Sequence, residues 1–413
     1  MSIFDSTKNR RNVLIKNRNI LQTTYIPDQL PHRENEINTI VEIITPALYN
    51  NKPSNILVTG KTGTGKTAVL NYIGKELKKE DPNEANCSFI YVNCEIVDNT
   101  YGILFNISNQ IIKDQNNKIP FTGWSLDRVY DTIIDHIDKE SKVFIIVLDE
   151  IDRILLKNGE DIFYFLTSMN ETLKLSKVSV IGITNNAKFT EFLTTKIRSR
   201  LGEEKVIFPP YNTEQLQNIL KKRAELAFEP GVVEDAVIPY CAALSAQDSG
   251  DARKALDLLR VAAETAERRG DMTVTEAHVV FARNRIELDA VLEVIKTLPV
   301  QSKIVLRSII ELHERREEER KDIPVTTGDV YSVYKEFCNV LNVNASKEKM
   351  VANLISELDM LGIIHARVKS FGRNGRTREI ELNINKDIIE YVKKDELFEP
   401  LQKHKPSKQT KLL

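Results

Sequence analysis

Gly60-Lys61-Thr62-Gly63-Thr64-Gly65-Lys66-Thr67 reads G-x-x-x-x-G-K-T, the pattern of a phosphate-binding loop. Both flanks fit that reading. Asn55-Ile56-Leu57-Val58-Thr59 precedes it as a buried strand, and Ala68, Val69, Leu70, Tyr72 and Ile73 follow it as the inward face of a helix. A strand, a glycine loop and a helix N-terminus together make an anion site, because backbone N–H groups and the helix dipole point at the ligand. Gly60, Gly63, Thr64 and Gly65 form the cradle, with glycines where a Cβ would collide. Lys66 is placed for the β/γ-phosphates of a nucleotide, and the Thr67 hydroxyl for Mg²⁺, so ATP/ADP and Mg²⁺ are the expected ligands.

A second segment supports the first. Val143-Phe144-Ile145-Ile146-Val147-Leu148 is a continuous apolar run, as expected of a central parallel strand covered on both faces. It ends in Asp149-Glu150, and carboxylates at that end face the crevice where ligands bind in open α/β sheets. Asp149 suits the metal, which takes hard oxygen ligands, and Glu150 suits the orientation or deprotonation of an attacking water. Asn185 ends another buried strand, where its amide can reach a γ-phosphate or that water. Gly250-Asp251-Ala252-Arg253 opens a helix with Asp251 as N-cap. Arg253 then opposes the helix dipole, which suggests that it meets an anion across the cleft. Arg223 lies on the apolar stripe of a helix over Thr213–Phe228, needs a partner there, and would find one in a nucleotide. Tyr211 can either stack on adenine or pack at a domain junction. Arg198 and Arg200, in Ile197–Leu201, are both candidates for a finger in a neighbouring molecule's site; spacing does not separate them.

The composition narrows the class. A chain of 413 residues holds two or three domains, and 41% hydrophobic with 28% charged residues suits a water-soluble protein with a real core. Lys+Arg (58) and Asp+Glu (59) nearly cancel, so charge distribution rather than net charge must decide on nucleic acid. No apolar stretch reaches membrane-spanning length and no signal-peptide core is present, so a cytoplasmic protein with no membrane partner is expected. Cys87, Cys94, Cys241 and Cys338 lack C-x-x-C spacing, which argues against zinc and disulfides and for buried free thiols.

Along the chain, residues 1–24 read as a mobile basic arm. Residues 25–208 alternate strands (54–59, 88–93, 143–148, 178–183, 205–208) with helices, implying an α/β base with a parallel sheet. Phe208-Pro209-Pro210 reads as a hinge into a helical lid, 209–290, followed by a third domain at 291–400 and a basic tail at 401–413. In the third domain a helix around Thr327–Val340 precedes a second one capped by Ser346, with Val351, Leu354, Ile355 and Leu358 inward and Lys347 and Lys349 outward. Strands Ile363–Lys369 and Thr377–Ile384 follow, joined by a glycine-containing loop. This is the winged-helix pattern. From Ile363 to Arg378 there are five basic side chains (Arg367, Lys369, Arg373, Arg376 and Arg378) and no acid, which favours a wing on DNA phosphates over a protein-interaction module. The helix beginning at Ser346 would enter the major groove.

These residues resemble the archaeal origin-recognition, or cell-division-control-type, DNA replication initiators of the AAA+ ATPase class. The resemblance runs from about Tyr25 to about Lys394. It is carried by Tyr25-Ile26-Pro27, Leu30-Pro31-His32-Arg33-Glu34, the phosphate loop, Tyr91-Val92-Asn93-Cys94, Pro120–Trp124, Leu148–Asp152, Lys188–Leu193, Leu201–Glu204, Phe208–Tyr211, Gly250–Arg253 and Leu354–Asp359. It implies a weak ATPase that uses ATP as a switch, binds origin duplex DNA, helps recruit or load the replicative helicase and associates with itself on DNA. It also implies Asn185 as first sensor, Arg253 as second, Tyr211 and Arg223 as nucleotide contacts, and a DNA-touching insertion around Val97–Leu126. Many relatives carry Asp-Pro-Arg where this chain has Thr194-Thr195-Lys196, which leaves the trans-acting arginine between Arg200, preferred, and Arg198. Two other functions fit the same motifs: a loader without sequence preference, and an ATP-gated transcription regulator.

Overall fold

The computed structural model describes residues 13–97, 99–114, 118–318, 323–370 and 376–403. The chain divides into two compact units, Met1–Ala282 and Arg283–Leu413. The division falls inside a helix, where the sequence pattern placed it after residue 290.

In the first unit, helix α1 (Glu34–Ile44) leads into strand β1 (Ile56–Gly60), helix α2 (Lys66–Glu80) and strand β2 (Cys87–Asn93). Helices α3 (Thr100–Ile111) and α4 (Leu126–Glu140) precede strand β3 (Val143–Asp149); α5 (Ile151–Asn158) and α6 (Asp161–Ser168) precede β4 (Lys177–Thr184); α7 (Thr195–Leu201) precedes β5 (Glu204–Phe208). The strands form a parallel sheet in the order β2-β3-β4-β1-β5. All seven residues of β3 are buried, because each face of the sheet is covered. Ile103, Val129 and Ile133 pack on one side, and Ile40, Val69 and Ile73 on the other. Each such side chain contributes about 1.5–3 kcal/mol by leaving water. The registers Asn93↔Asp149 and Thr59↔Thr184 bring the carboxyl ends of four strands level, and the glycine loop leaves β1 at that rim.

The lid follows as α8 (Thr213–Ala227), α9 (Val237–Asp248), α10 (Ala252–Arg269) and the first turns of α11 (Glu276–Thr297). Two of its helices start where the sequence supplies caps: Asn212 and Gln215 form a capping box on α8, and Asp251 accepts from the Arg253 and Lys254 N–H groups on α10. The N-terminal segment was expected to be mobile. Residues 1–12 lie outside the described residues, but Leu14, Ile15, Ile20 and Leu21 are buried against the lid. The buried Glu267 carboxylate on α10 accepts the Leu14 and Ile15 N–H groups (both 3.0 Å) and pairs with Arg18. The basic character of this segment hid its apolar anchors.

The second unit contains α12 (Val300–Glu318), β6 (Val325–Thr326), α13 (Thr327–Val340), α14 (Glu348–Met360), β7 (Ile364–Ser370), β8 (Arg376–Leu382) and α15 (Lys386–Lys393). Its antiparallel sheet runs β6-β8-β7, and Tyr334, Phe337, Ile355 and Leu358 centre its core. The N-cap position of helix α14 is Lys347 rather than Ser346 and carries no side-chain cap bond, while the Ser346 N–H donates to the Tyr334 hydroxyl (2.9 Å). All four cysteines are buried and free. Among the described residues no helix is long and apolar enough to cross a membrane.

Candidate nucleotide and nucleic-acid sites

A cleft of about 840 Å³ opens at the rim of the first unit's sheet. The phosphate loop, Asp149, Glu150 and Asn185 line it from the base, Arg223, Arg253 and Leu256 from the lid, and Thr24–Leu30 from the N-terminal segment. The sequence thus brought together residues from five separate stretches. It missed the N-terminal wall, which carries no charged motif.

Gly63 and Gly65 have φ of 71° and 93°, where side chains are strained. A Cβ on Gly63 would fall 1.7 Å from the Asp251 carboxylate, so the lid helix start abuts the loop directly. The Ala252 N–H closes this contact by donating to the Gly63 carbonyl (3.1 Å). Lys66 Nζ donates to the Gly60 and Lys61 carbonyls and to Asn185 Oδ1, each at 2.8 Å. Burial lowers the Lys66 pKa to about 8, against the pull of Asp149. A phosphate would restore the ammonium's preference for its charge.

Thr67 Oγ1 donates to Asp149 Oδ2 (2.7 Å), which also accepts from the Tyr91 hydroxyl (2.5 Å). A hydroxyl and a buried carboxylate are the hard-oxygen donor set that Mg²⁺ takes beside nucleotide phosphates, so these residues fit the ion. Tyr91 is a neighbour of Asp149 that spacing did not expose: it lies 58 residues away and meets it only through the β2–β3 pairing. Asp152 lies in the first turn of α5. It accepts from Thr184 Oγ1 (2.8 Å) and from the Asn185 N–H (3.3 Å), fixing the end of β4.

Glu150 sits at φ 58°, in the left-handed region, which turns its side chain off the strand end. Burial, then Glu95 and Asp149, raise its pKa, the direction that suits a base. Arg153 holds it at 3.5 Å and pairs with Glu95 at 2.9 Å.

Other expected contacts differ. Arg223 already has partners: it donates to the Ile20 (3.1 Å) and Tyr25 (3.0 Å) carbonyls and lies over the Tyr25 ring. Its charge is therefore satisfied within the chain, and its place is in the cleft wall. Tyr211 is buried, with the Arg33 guanidinium 3.9 Å from its ring centre, so one face is taken by an arginine rather than by adenine. Arg200 pairs with Glu171, whereas the exposed Arg198 donates to the Leu193 carbonyl (3.1 Å).

In the second unit, Lys347 and Lys349 at the start of α14 and Arg367 on β7 are exposed. Arg378 is not a free wing cation: it donates to the Ala352 carbonyl (3.0 Å) and to Ser356 Oγ, fastening β8 to α14. Arg373 lies outside the described residues, as do the side chains of Lys369 and Arg376. In the expected insertion, Trp124 lies under Arg128 (3.9 Å) and Phe121 is 70% exposed.

The parallel sheet, the loop at its rim, the helical lid and the winged helix define an AAA+ ATPase, a nucleotide-binding protein, joined to a winged-helix domain. Family models agree: an AAA domain matches residues 50–191, a Cdc6 AAA+ ATPase-type lid 217–284, and a CDC6 C-terminal winged helix domain 293–392. The chain is 48% identical to the ORC1-type DNA replication protein of Pyrococcus furiosus, over 93% of this chain and 90% of that one. With its Thermococcus kodakarensis counterpart it shares 46%, over 100% and 98%. Among solved structures it is similar to the Aeropyrum pernix ORC1 protein in complex with DNA (42% identity, TM-score 0.75, covering 92% of this chain and 97% of that one). Cdc6p of Pyrobaculum aerophilum shares the fold at 22% identity and TM-score 0.59, covering 93% and 100%. The chain belongs to the ORC1-type DNA replication proteins, the initiators of replication whose archaeal branch its sequence resembles.

Proposed function

We propose that this initiator binds origin duplex DNA under the control of ATP and helps recruit or load the replicative helicase. One observation carries the nucleotide half: two hydrogen-bonded pairs, Lys66 with Asn185 and Thr67 with Asp149, line a cleft that Arg253 lines from the lid. Lys66 and the loop amides hold the phosphates, Arg253 meets the γ-phosphate, and Asn185 and Glu150 orient the attacking water, with Glu150 taking its proton. Thr67 and Asp149 would hold Mg²⁺, which when bound neutralises charge on the phosphates. The lid moves with this occupancy, and hydrolysis is slow because it resets a state.

For DNA, Lys347 and Lys349 enter with α14. Arg367 on β7 and the basic residues Lys369, Arg373 and Arg376 of the same stretch of sequence serve the wing, and Phe121 and Trp124 serve the ATPase-domain insertion. The Aeropyrum pernix ORC1 protein, 42% identical, was solved in complex with DNA, which supports this reading. Self-association on DNA, with Arg200 or Arg198 reaching a neighbour, belongs to the same proposal. Footprinting on genomic fragments tests it. Protection confined to repeats beside a replication start is expected. Protection at promoters would make the chain a regulator, and no discrete protection would make it a non-specific loader. Lys66→Ala should abolish detectable ATP binding in calorimetry with the fold intact.

A further inference from the structure

Arg33 is among the largest side chains buried in the chain, at 1% exposure. A buried guanidinium is costly unless its donors are used, and these are. Nε donates to the Thr64 carbonyl (2.8 Å), Nη2 to the Pro209 carbonyl (2.6 Å), and Nη1 to His32 O (3.3 Å) and Glu36 Oε1 (3.1 Å). Its flat face lies on Tyr211. One side chain from the start of α1 thereby joins the phosphate loop to the hinge at the foot of the lid.

The contact with Thr64 has a geometric consequence. A trans peptide is planar, with its C=O and N–H antiparallel. Holding the Thr64 carbonyl outward turns the Gly65 N–H, the other end of that unit, away from Arg33 and toward the cradle. Gly65, at φ 93°, lies in a region where glycine backbone has little intrinsic preference, so a flipped peptide is an accessible alternative. The preceding unit is fixed in the same manner by the lid, whose Ala252 N–H takes the Gly63 carbonyl.

We propose that Arg33 is a positioning residue for nucleotide binding: it aims the Gly65 N–H at the phosphates and, through Pro209, ties that orientation to the lid hinge. This rests on the reading of the loop as the nucleotide site. Lysine cannot replace it, because an ammonium is a compact, hydrated charge without a fork to span two carbonyls or a plane to stack.

The test uses the full chain, ADP in the presence of a chelator, and calorimetry. Wild type binds and Lys66→Ala does not; equal binding by both would overturn the loop assignment itself. Arg33→Lys should lose about tenfold or more in ADP affinity, the scale of a lost charge-assisted contact. Its bound β-phosphate ³¹P resonance should move toward that of free ADP. Glu36→Gln keeps an acceptor for Nη1 and should bind ADP within roughly twofold of wild type despite a lower Tm. Losses in the two variants that simply follow their Tm would reduce Arg33 to a packing role. A measurement on wild type stands apart from variant folding: on ADP saturation the Gly65 amide proton should shift strongly downfield, and an unmoved Gly65 resonance overturns the proposal.

Discussion

Glu150 is the base of the proposed hydrolysis. Its left-handed backbone is unusual for a side chain with a Cβ, and it occurs where the strand must stop and present a carboxylate to the cleft. Glu150→Gln keeps the shape and removes the base. ATP affinity should remain, while single-turnover hydrolysis falls by about 100-fold or more, within the range for loss of a general base. Hydrolysis at the wild-type rate would move the base elsewhere. Tyr91 acts one step back. Tyr91→Phe deletes a donor to Asp149 Oδ2 and leaves that oxygen to Thr67, so half-maximal ATPase activity should need more Mg²⁺. The placement of Asp149 and Glu150 at the cleft was legible from the apolar run before them. Tyr91 and Arg33 were not, since their roles come from pairings 58 and 176 residues away in sequence.

Elements here are fastened at their ends by buried carboxylates. Asp81 closes α2 and opens β2, accepting the Ala85 (2.9 Å), Asn86 (2.8 Å) and Cys87 (3.0 Å) N–H groups. Burial opposes its charge, but the three N–H groups outweigh burial and hold its pKa below the ordinary carboxylate value. Its stabilisation is therefore complete above the unfolded pKa of about 3.9 and is lost as pH falls through the lower folded value. Asp81→Asn should destabilise the fold by about 1–3 kcal/mol at neutral pH, with the difference shrinking in the acid limb of a urea-melt series. Glu267 does the same for the N-terminal segment. Glu267→Ala should cost about 1–3 kcal/mol. It should also weaken ATP binding, because residues 24–30 line the cleft just beyond the released anchor. Strand positions were readable within a residue or two, since each is a short apolar run between turn signals. The arm was misread because five of its side chains are basic while its burial depends on Leu14, Ile15, Ile20 and Leu21.

For the molecule as a whole, near-zero net charge hides an uneven distribution: the stretch from Ile363 to Arg378 has five Lys and Arg residues and no acid, which the proposed function assigns to DNA phosphates. Replacing Arg373 and Arg376 by Ala should lower the slope of log affinity against log salt by about one unit per lost phosphate contact, while Arg378→Ala should lower stability instead. An unchanged slope would count against the wing. The order of domains was legible because each changes periodicity: strand–helix alternation, then helices, then helices with a hairpin. The side chains that join segments were not, because they act across long sequence gaps. The state of the cysteines bears on how such motions can be watched. All four thiols are buried, and burial raises the pKa of Cys87 to about 11 and of Cys241 to about 12. Maleimide dyes will pass them by in the native protein, so a single engineered thiol at Lys349 offers a background-free fluorescent reporter of duplex approach.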